Sequence, residues 1–332
     1  QLSYYDHSPM VGWTSAIGRA LLGWTPAGLH LPAFITFLVL ALSLYRAARW
    51  LAPGDSERYF WTVLAIFCAS PLFNALTTLN YPDHLLICFG ALALLYLGRY
   101  LNAALDGLER QPDLYLGAAF LGLAGLSKYN AAFIPAGLLI VLIAAPRLRR
   151  LFWSVHLYVA GALCLANLSP VFIWNATHEM ATLGLHASDR VDDRADLFTP
   201  IELLRVVVIS ALTLSPFLVA AFCRFLFGRS AEPRQAGLIL LGRGTVFAST
   251  LFLLPLAAWG AYSKQVSPHW LVLSFLPFML VAPLYLRSRL MLWLHLGWGA
   301  IVNTLLVVYY LLTPLPTTLL GIGDAEAART FG

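Results

Sequence analysis

The chain has 332 residues, 60% of them hydrophobic and only 11% charged, a balance that leaves too little polar surface to cover a water-soluble fold. That composition marks a membrane chain and excludes a soluble enzyme, a disordered regulator and a disulfide-stapled secreted domain. The net charge of +5 arises from 21 basic residues against 16 acids, only Lys128 and Lys264 being lysines, and no basic cluster interleaved with aromatics points to nucleic acid.

The chain opens at Gln1 on a polar, aromatic stretch that lacks the basic and short apolar segments of a signal peptide. Its final segment, 321–332, follows an apolar run without a turn or cap, so further sequence is expected beyond both ends. Residues 11–23 are amphipathic but too short to span. Pro9 suits a first helical turn, and Trp13 and Trp24 suit an interfacial belt, so 1–28 reads as an external segment carrying a surface helix.

A bilayer core about 30 Å thick requires roughly 20 apolar residues per helix. Ten spans are predicted, at 29–50, 59–80, 83–101, 114–128, 130–146, 152–174, 201–227, 245–263, 269–286 and 291–312. The expected fold is therefore an all-α polytopic bundle of about ten transmembrane helices over 29–312. An external loop covers about 175–200, and an external C-terminal region begins at 313–332. Cys68, Cys88, Cys164 and Cys223 fall inside apolar runs without metal-ligand or CxxC spacing and read as packing residues.

Arginines alternate along the chain. Those at 46, 49, 58, 99, 110, 147, 149, 150, 224, 229, 234, 243, 287 and 289 occupy one set of connections, which is cytoplasmic by the positive-inside rule. The opposite face collects ten of the 16 acids, together with His7, His84, His178, His186 and His269. Chemistry is expected on that outer face.

Four segments there carry candidate groups. Tyr4-Tyr5-Asp6-His7-Ser8-Pro9-Met10 places an acid and a ring beside a helix start, as a cap or as an anion-facing pair. Asn80-Tyr81-Pro82-Asp83-His84 repeats the acid and histidine at a helix junction, where Asp83 reads equally as a cap. Lys128, in Leu126-Ser127-Lys128-Tyr129-Asn130, is costly at a membrane boundary without a phosphate, a carboxylate or an outward snorkel to satisfy it. The stretch from Trp174-Asn175-Ala176-Thr177-His178-Glu179 to Pro200 is the densest in charge. A helix over 183–191 would put His186, Asp189 and Arg190 on one face, where they could hold a phosphate or a divalent metal. Lys264 and Ser267-Pro268-His269-Trp270 add a cation and a ring on the same side.

The ordered set Tyr4-Tyr5-Asp6-His7-Ser8-Pro9-Met10, Tyr81-Pro82-Asp83, Leu126-Ser127-Lys128-Tyr129, Trp174-Asn175 and Pro268-His269-Trp270 resembles the GT-C glycosyltransferases. The likeness is to the bacterial family 39-type branch, relatives of protein O-mannosyltransferases and of the lipid A aminoarabinose transferase. The resemblance implies a GT-C bundle of membrane helices with interfacial helices in the first external loop. It also implies sugar transfer from a polyprenyl-phosphate carrier to a lipid or protein acceptor, on the periplasmic face of a bacterial inner membrane.

By that resemblance, Asp6 and Asp83 are the catalytic carboxylates, and His7, Lys128, Tyr129, Arg190, Lys264 and His269 face the donor phosphate. His84, Trp174, Asn175, His178, Glu179 and Asp189 belong to the acceptor or loop region, and His186 is a candidate metal ligand. No cofactor is required, and a divalent metal is an option. Family members carry an Asp-Glu pair upstream of the Tyr-Asp-His motif, which falls before Gln1. Ser8 stands where proline is more usual. A flippase or transporter of polyprenyl lipids is the competing class, disfavoured because the ionisable groups gather at helix ends rather than at mid-membrane.

Overall fold

The computed structural model describes residues 8–184, 198–228, 235–259 and 266–312, and these are almost entirely helical. Helix α1 (Met10–Leu22) ends at Gly23, where φ is +71°, and the chain turns directly into α2 (Pro26–Leu51). Thr25 caps α2, its hydroxyl oxygen accepting from the Gly28 amide at 3.1 Å. Ile17, Leu21 and Trp24 are exposed, and the Arg19 guanidinium lies over the Trp24 ring at 4.5 Å, as a surface helix bedded in an interface requires.

The bundle is organised on α5 (Pro82–Leu105), which is buried along most of its length. Around it pack α2, α4 (Pro71–Thr78), α6 (Gln111–Ser127), α13 (Ala236–Ala258) and α14 (Val272–Tyr285). Helix α7 (Phe133–Ala144) crosses α13 at Gly137 and Gly244, where a Cβ on either residue would strike the other helix's backbone.

The expected bundle is present, with one systematic difference. Among the described residues, five helices are long and apolar enough to cross a bilayer unbroken, and four further spans are bent pairs. Helix α3 (Ser56–Ala69) meets α4 at 84°, and residues Tyr129–Ala144 meet the 3-10 segment Pro146–Trp153 at 114°. Helix α8 (Val155–Asn167) meets α9 (Ser169–Thr177) at 53°, and α11 (Pro200–Leu214) meets α12 (Pro216–Phe227) at 102°. The spans expected as continuous at 59–80, 152–174 and 201–227 are therefore broken, while the one expected at 130–146 runs unbroken to Ala144 and turns at its end. The reason is local: Pro71, Pro146, Pro170 and Pro216 each stand at the first or second position of the second segment, where the missing amide and the ring forbid continuation. Helix α6 is shorter, at 17 residues.

Bending frees carbonyls that lipid cannot satisfy. Helix α15 (Arg289–Leu312) supplies donors to two of the breaks. Just before the α3 bend, Asn303 Nδ2 donates to the Cys68 carbonyl at 3.3 Å, and His295 Nε2 lies 3.1 Å from the Ile66 carbonyl, which also accepts the Ser70 amide. Trp298 Nε1 donates to the Leu212 carbonyl at 3.0 Å, just before the α11 bend. Gly299 lets α15 lie directly on the Ala69 backbone. His295→Leu is expected to lower stability by about 1 kcal/mol, in the range of interhelical hydrogen bonds within membranes. Gly299→Leu should cost more, because it separates the helices. Thermal unfolding of purified protein in detergent checks both.

Candidate functional site

Asp83 sits in the first turn of α5, where the helix dipole favours a negative charge, and it is 0% exposed. Lys128, in the extended residue that ends α6, reaches it with Nζ donating to Oδ1 at 2.8 Å and Oδ2 at 2.9 Å. Burial draws the Lys128 ammonium below the usual lysine range, against the upward pull of the Asp83 carboxylate. An ammonium has three N–H donors, so two on Asp83 leave one for another acceptor. Asp83, with both oxygens engaged and no solvent contact, is placed to position that cation rather than to roam as a base.

A small apolar cluster underlies this pair. Met10, Leu85, Leu126 and Val171 pack together, with Val11, Trp13 and Tyr129 against them. Each of these four residues belongs to, or lies within three residues of, one of the separate sequence motifs. Ser8 donates to the Gly125 carbonyl at 3.2 Å, and the Ser127 hydroxyl faces Met10 sulfur at 3.4 Å, which seats the start of α1 on the end of α6. On the other flank the Tyr81 ring meets His269 edge-on at 5.8 Å, and Asn130 Nδ2 donates to the Trp270 carbonyl at 3.0 Å. Tyr81, Asp83, Lys128, Tyr129, Asn130, His269 and the end of the first motif thus share one corner of the bundle. His269 Nδ1 lies 2.9 Å from the Ser267 hydroxyl, which orients the ring.

Other predicted residues take different partners. His84 turns away from Lys128 toward α2, its Nδ1 2.8 Å from the Thr36 hydroxyl, and is 2% exposed. At the end of α9, His178 stacks on Trp174 with ring centroids 4.3 Å apart and its Nδ1 lies 2.8 Å from the Trp174 carbonyl. Asn175 donates to the Val171 carbonyl and accepts from the Thr182 amide. Glu179 is exposed in a left-handed turn with φ +53°. These four finish α9 and start the following turn. Asp6, His7, His186, Asp189, Arg190 and Lys264 lie outside the described residues. Among the described residues no group of three or more His, Cys, Asp or Glu side chains is arranged to hold a metal ion.

A feature that residue-by-residue reading missed opens beneath Tyr129. An apolar cavity of about 580 Å³ runs between α6, α7 and α8 from Gly125, Tyr129 and Leu168 down to Leu114, Phe152 and Leu157. Gly161 faces it with nothing within 4 Å of where a Cβ would stand. Its only sequence signal is the small residues Gly125, Ala118, Ala160 and Gly161 on helices otherwise rich in leucine.

A helical membrane bundle with broken spans matches the GT-C membrane fold. The crystal structure of ArnT from Cupriavidus metallidurans bound to undecaprenyl phosphate superposes with a TM-score of 0.64 at 17% identity, over 97% of this chain and 57% of that one. The apo form of the same protein gives 0.61 at 17% identity, over 95% and 55%. The present chain therefore spans a little over half the length of those structures. No curated protein sequence matches it. The family model described as dolichyl-phosphate-mannose-protein mannosyltransferase matches residues 6–174, just over half of the chain, and the protein belongs to that family.

The ion pair should behave as a unit. Lys128→Met alone strands a buried carboxylate and is expected to cost about 3–5 kcal/mol. The double variant Asp83→Asn/Lys128→Met removes the stranded charge and should recover most of that loss. Melting of the two variants and wild type in the same detergent measures the difference.

Proposed function

We propose that the protein transfers a sugar from a polyprenyl-phosphate carrier to a lipid or protein acceptor, at the end of the bundle that the arginine distribution places outside the cytoplasm of a bacterial inner membrane. The observation that carries this reading is the junction of Lys128 with the apolar groove. Lys128, a cation with a spare donor, directly precedes Tyr129, Tyr129 forms part of the groove's wall, and below lies a channel suited to an isoprenoid chain. A phosphate-headed lipid needs both parts together. Family membership and the likeness to ArnT, whose crystal structure holds undecaprenyl phosphate, support the same class.

In this reading the carrier phosphate lies against Lys128, which Asp83 holds in place and keeps charged. Breaking the bond between the anomeric carbon and the phosphate oxygen leaves a phosphate monoester bearing extra negative charge, which the ammonium stabilises. His269, oriented by Ser267 and Tyr81, borders the same corner and contributes a second donor. Asp6 and His7 are assigned to this corner through the seating of Ser8 and Met10, with Asp6 as a carboxylate able to take the acceptor proton. Arg190 and Lys264 are assigned to the donor phosphate, and His84, Trp174, Asn175, His178, Glu179 and Asp189 to the acceptor side. No step requires a metal ion, and His186 is left as the residue to test should chelation reduce activity.

Transfer of radiolabelled sugar in membranes tests the assignment. The Asp83→Asn/Lys128→Met double variant is expected to fold and to lose at least about 100-fold in transfer, the scale of removing a stabilising charge. Undiminished transfer, or carrier translocation without a glycosidic product, would overturn the reading. The groove has its own test. Gly161→Phe fills it without a clash and should raise KM several-fold for a long-chain carrier while sparing a two-isoprene analogue.

A further inference from the structure

At the opposite end of the bundle lies a separate polar cavity of about 230 Å³. It is bounded by Tyr100 of α5, by Glu109 and Gln111 between α5 and α6, and by Arg150, Ser154 and His156 where the chain enters α8. Tyr100 lies about 25 Å beyond Asp83 along the α5 axis, so the donor corner does not extend here. Two opposite charges, Glu109 and Arg150, line this one cavity and form no ion pair with each other.

Each is held from its own side. Arg150 Nη2 donates to the Ala104 carbonyl at 2.7 Å, which fixes the guanidinium with most of its five donors unused. The Glu109 carboxylate accepts from Gln111 Nε2 at 2.5 Å. His156 spends Nδ1 on the Tyr115 hydroxyl at 2.6 Å, leaving Nε2. Tyr100 is 4% exposed and makes no hydrogen bond to any described residue. Ser154 is the N-cap position of the 13-residue α8, without a side-chain cap bond, so the first amides of that helix open toward the same space.

A lone anion would bind Arg150 and the start of α8 but face Glu109. A lone cation would meet the reverse. A zwitterion answers both. The mouth lies at a bilayer boundary, because Trp153 is 90% exposed and Val155, Tyr158 and Val159 turn an apolar surface outward on the first turns of α8.

We propose that this cavity binds the phosphoethanolamine headgroup of a bilayer phospholipid, with its phosphate on Arg150 and the start of α8 and its ammonium on Glu109. A phosphocholine headgroup has no N–H to donate to Glu109 and binds less well. Phe152 and Leu157 line the apolar groove while Trp153, Ser154 and His156 line this cavity, so a bound headgroup braces the groove's inner wall. That consequence alone rests on the carrier reading.

The experiment requires no glycosyl transfer. The full chain is reconstituted in nanodiscs of mixed phosphatidylcholine, phosphatidylethanolamine and phosphatidylglycerol, extracted gently, and its retained lipid is counted by native mass spectrometry. Wild type should retain phosphatidylethanolamine at least fivefold over either of the others. Glu109→Gln should reduce that preference to parity with phosphatidylglycerol, and Arg150→Gln should lose both lipids. Glu109 is exposed in a connection, so its substitution decides the matter even if Arg150→Gln does not assemble. Equal retention of phosphatidylglycerol by wild type, or retention unchanged in Glu109→Gln, would overturn the proposal. Displacement of the lipid by micromolar soluble glycerophosphoethanolamine would overturn its bilayer source.

Discussion

A carboxylate with no solvent contact must be given a cation, and Asp83 is given Lys128. This requirement fixes the start of α5 against the end of α6, since both oxygens of the acid are held by one nitrogen. Breaking the pair from one side leaves a buried charge, so the two residues are coupled in stability as well as in position. The apolar contact of Met10, Leu85, Leu126 and Val171 forms the floor beneath. It brings in the start of α1 and the end of α9, elements that share no continuous stretch of sequence with the pair.

The broken helices serve the same end. A bundle of straight spans would pack its faces flush. Here α6, α7 and α8 border the groove beneath Tyr129, with the turn at Pro146 and the bend before α9 at the ends of α7 and α8. Bends expose carbonyls, and α15 answers two of them through His295, Trp298 and Asn303. Polar residues in a membrane helix invite a functional reading. For His295 the structure supplies another one, a second hydrogen bond to the Ile66 carbonyl beside a neighbouring break.

The two ends of α5 face different chemistry. At Asp83 the charges are paired and sheltered, and Tyr129, next to Lys128 in the chain, borders an apolar groove. At Tyr100 the charges share a cavity without meeting each other, at the edge of the bilayer. Under the proposed function, the first arrangement takes a phosphate-headed donor. The second suits a resident lipid whose headgroup carries both signs.

Much of the fold was legible beforehand. Apolar run length was enough for a polytopic helical bundle, because the bilayer imposes a length and a backbone requirement that composition must meet; of the ten spans expected, five unbroken and four bent ones stand among the described residues. The ordered motifs pointed to the family and to Asp83, Lys128, Tyr129 and His269. Prolines 71, 146, 170 and 216 were visible, yet a proline can start, kink or end a helix, and only the packing around each determined the angle. Likewise, the adjacent residues Asp83 and His84 looked equivalent as an acid and ring beside a helix start. Successive positions on a helix point about 100° apart, so one faces Lys128 and the other Thr36, and which neighbours stand in those directions is a property of the assembled bundle. Sequence determined that this chain lives in a membrane, with most of its arginines in one set of connections. Tertiary structure decided which acid meets which cation and where space is left between helices, because both depend on contacts between residues far apart in the chain.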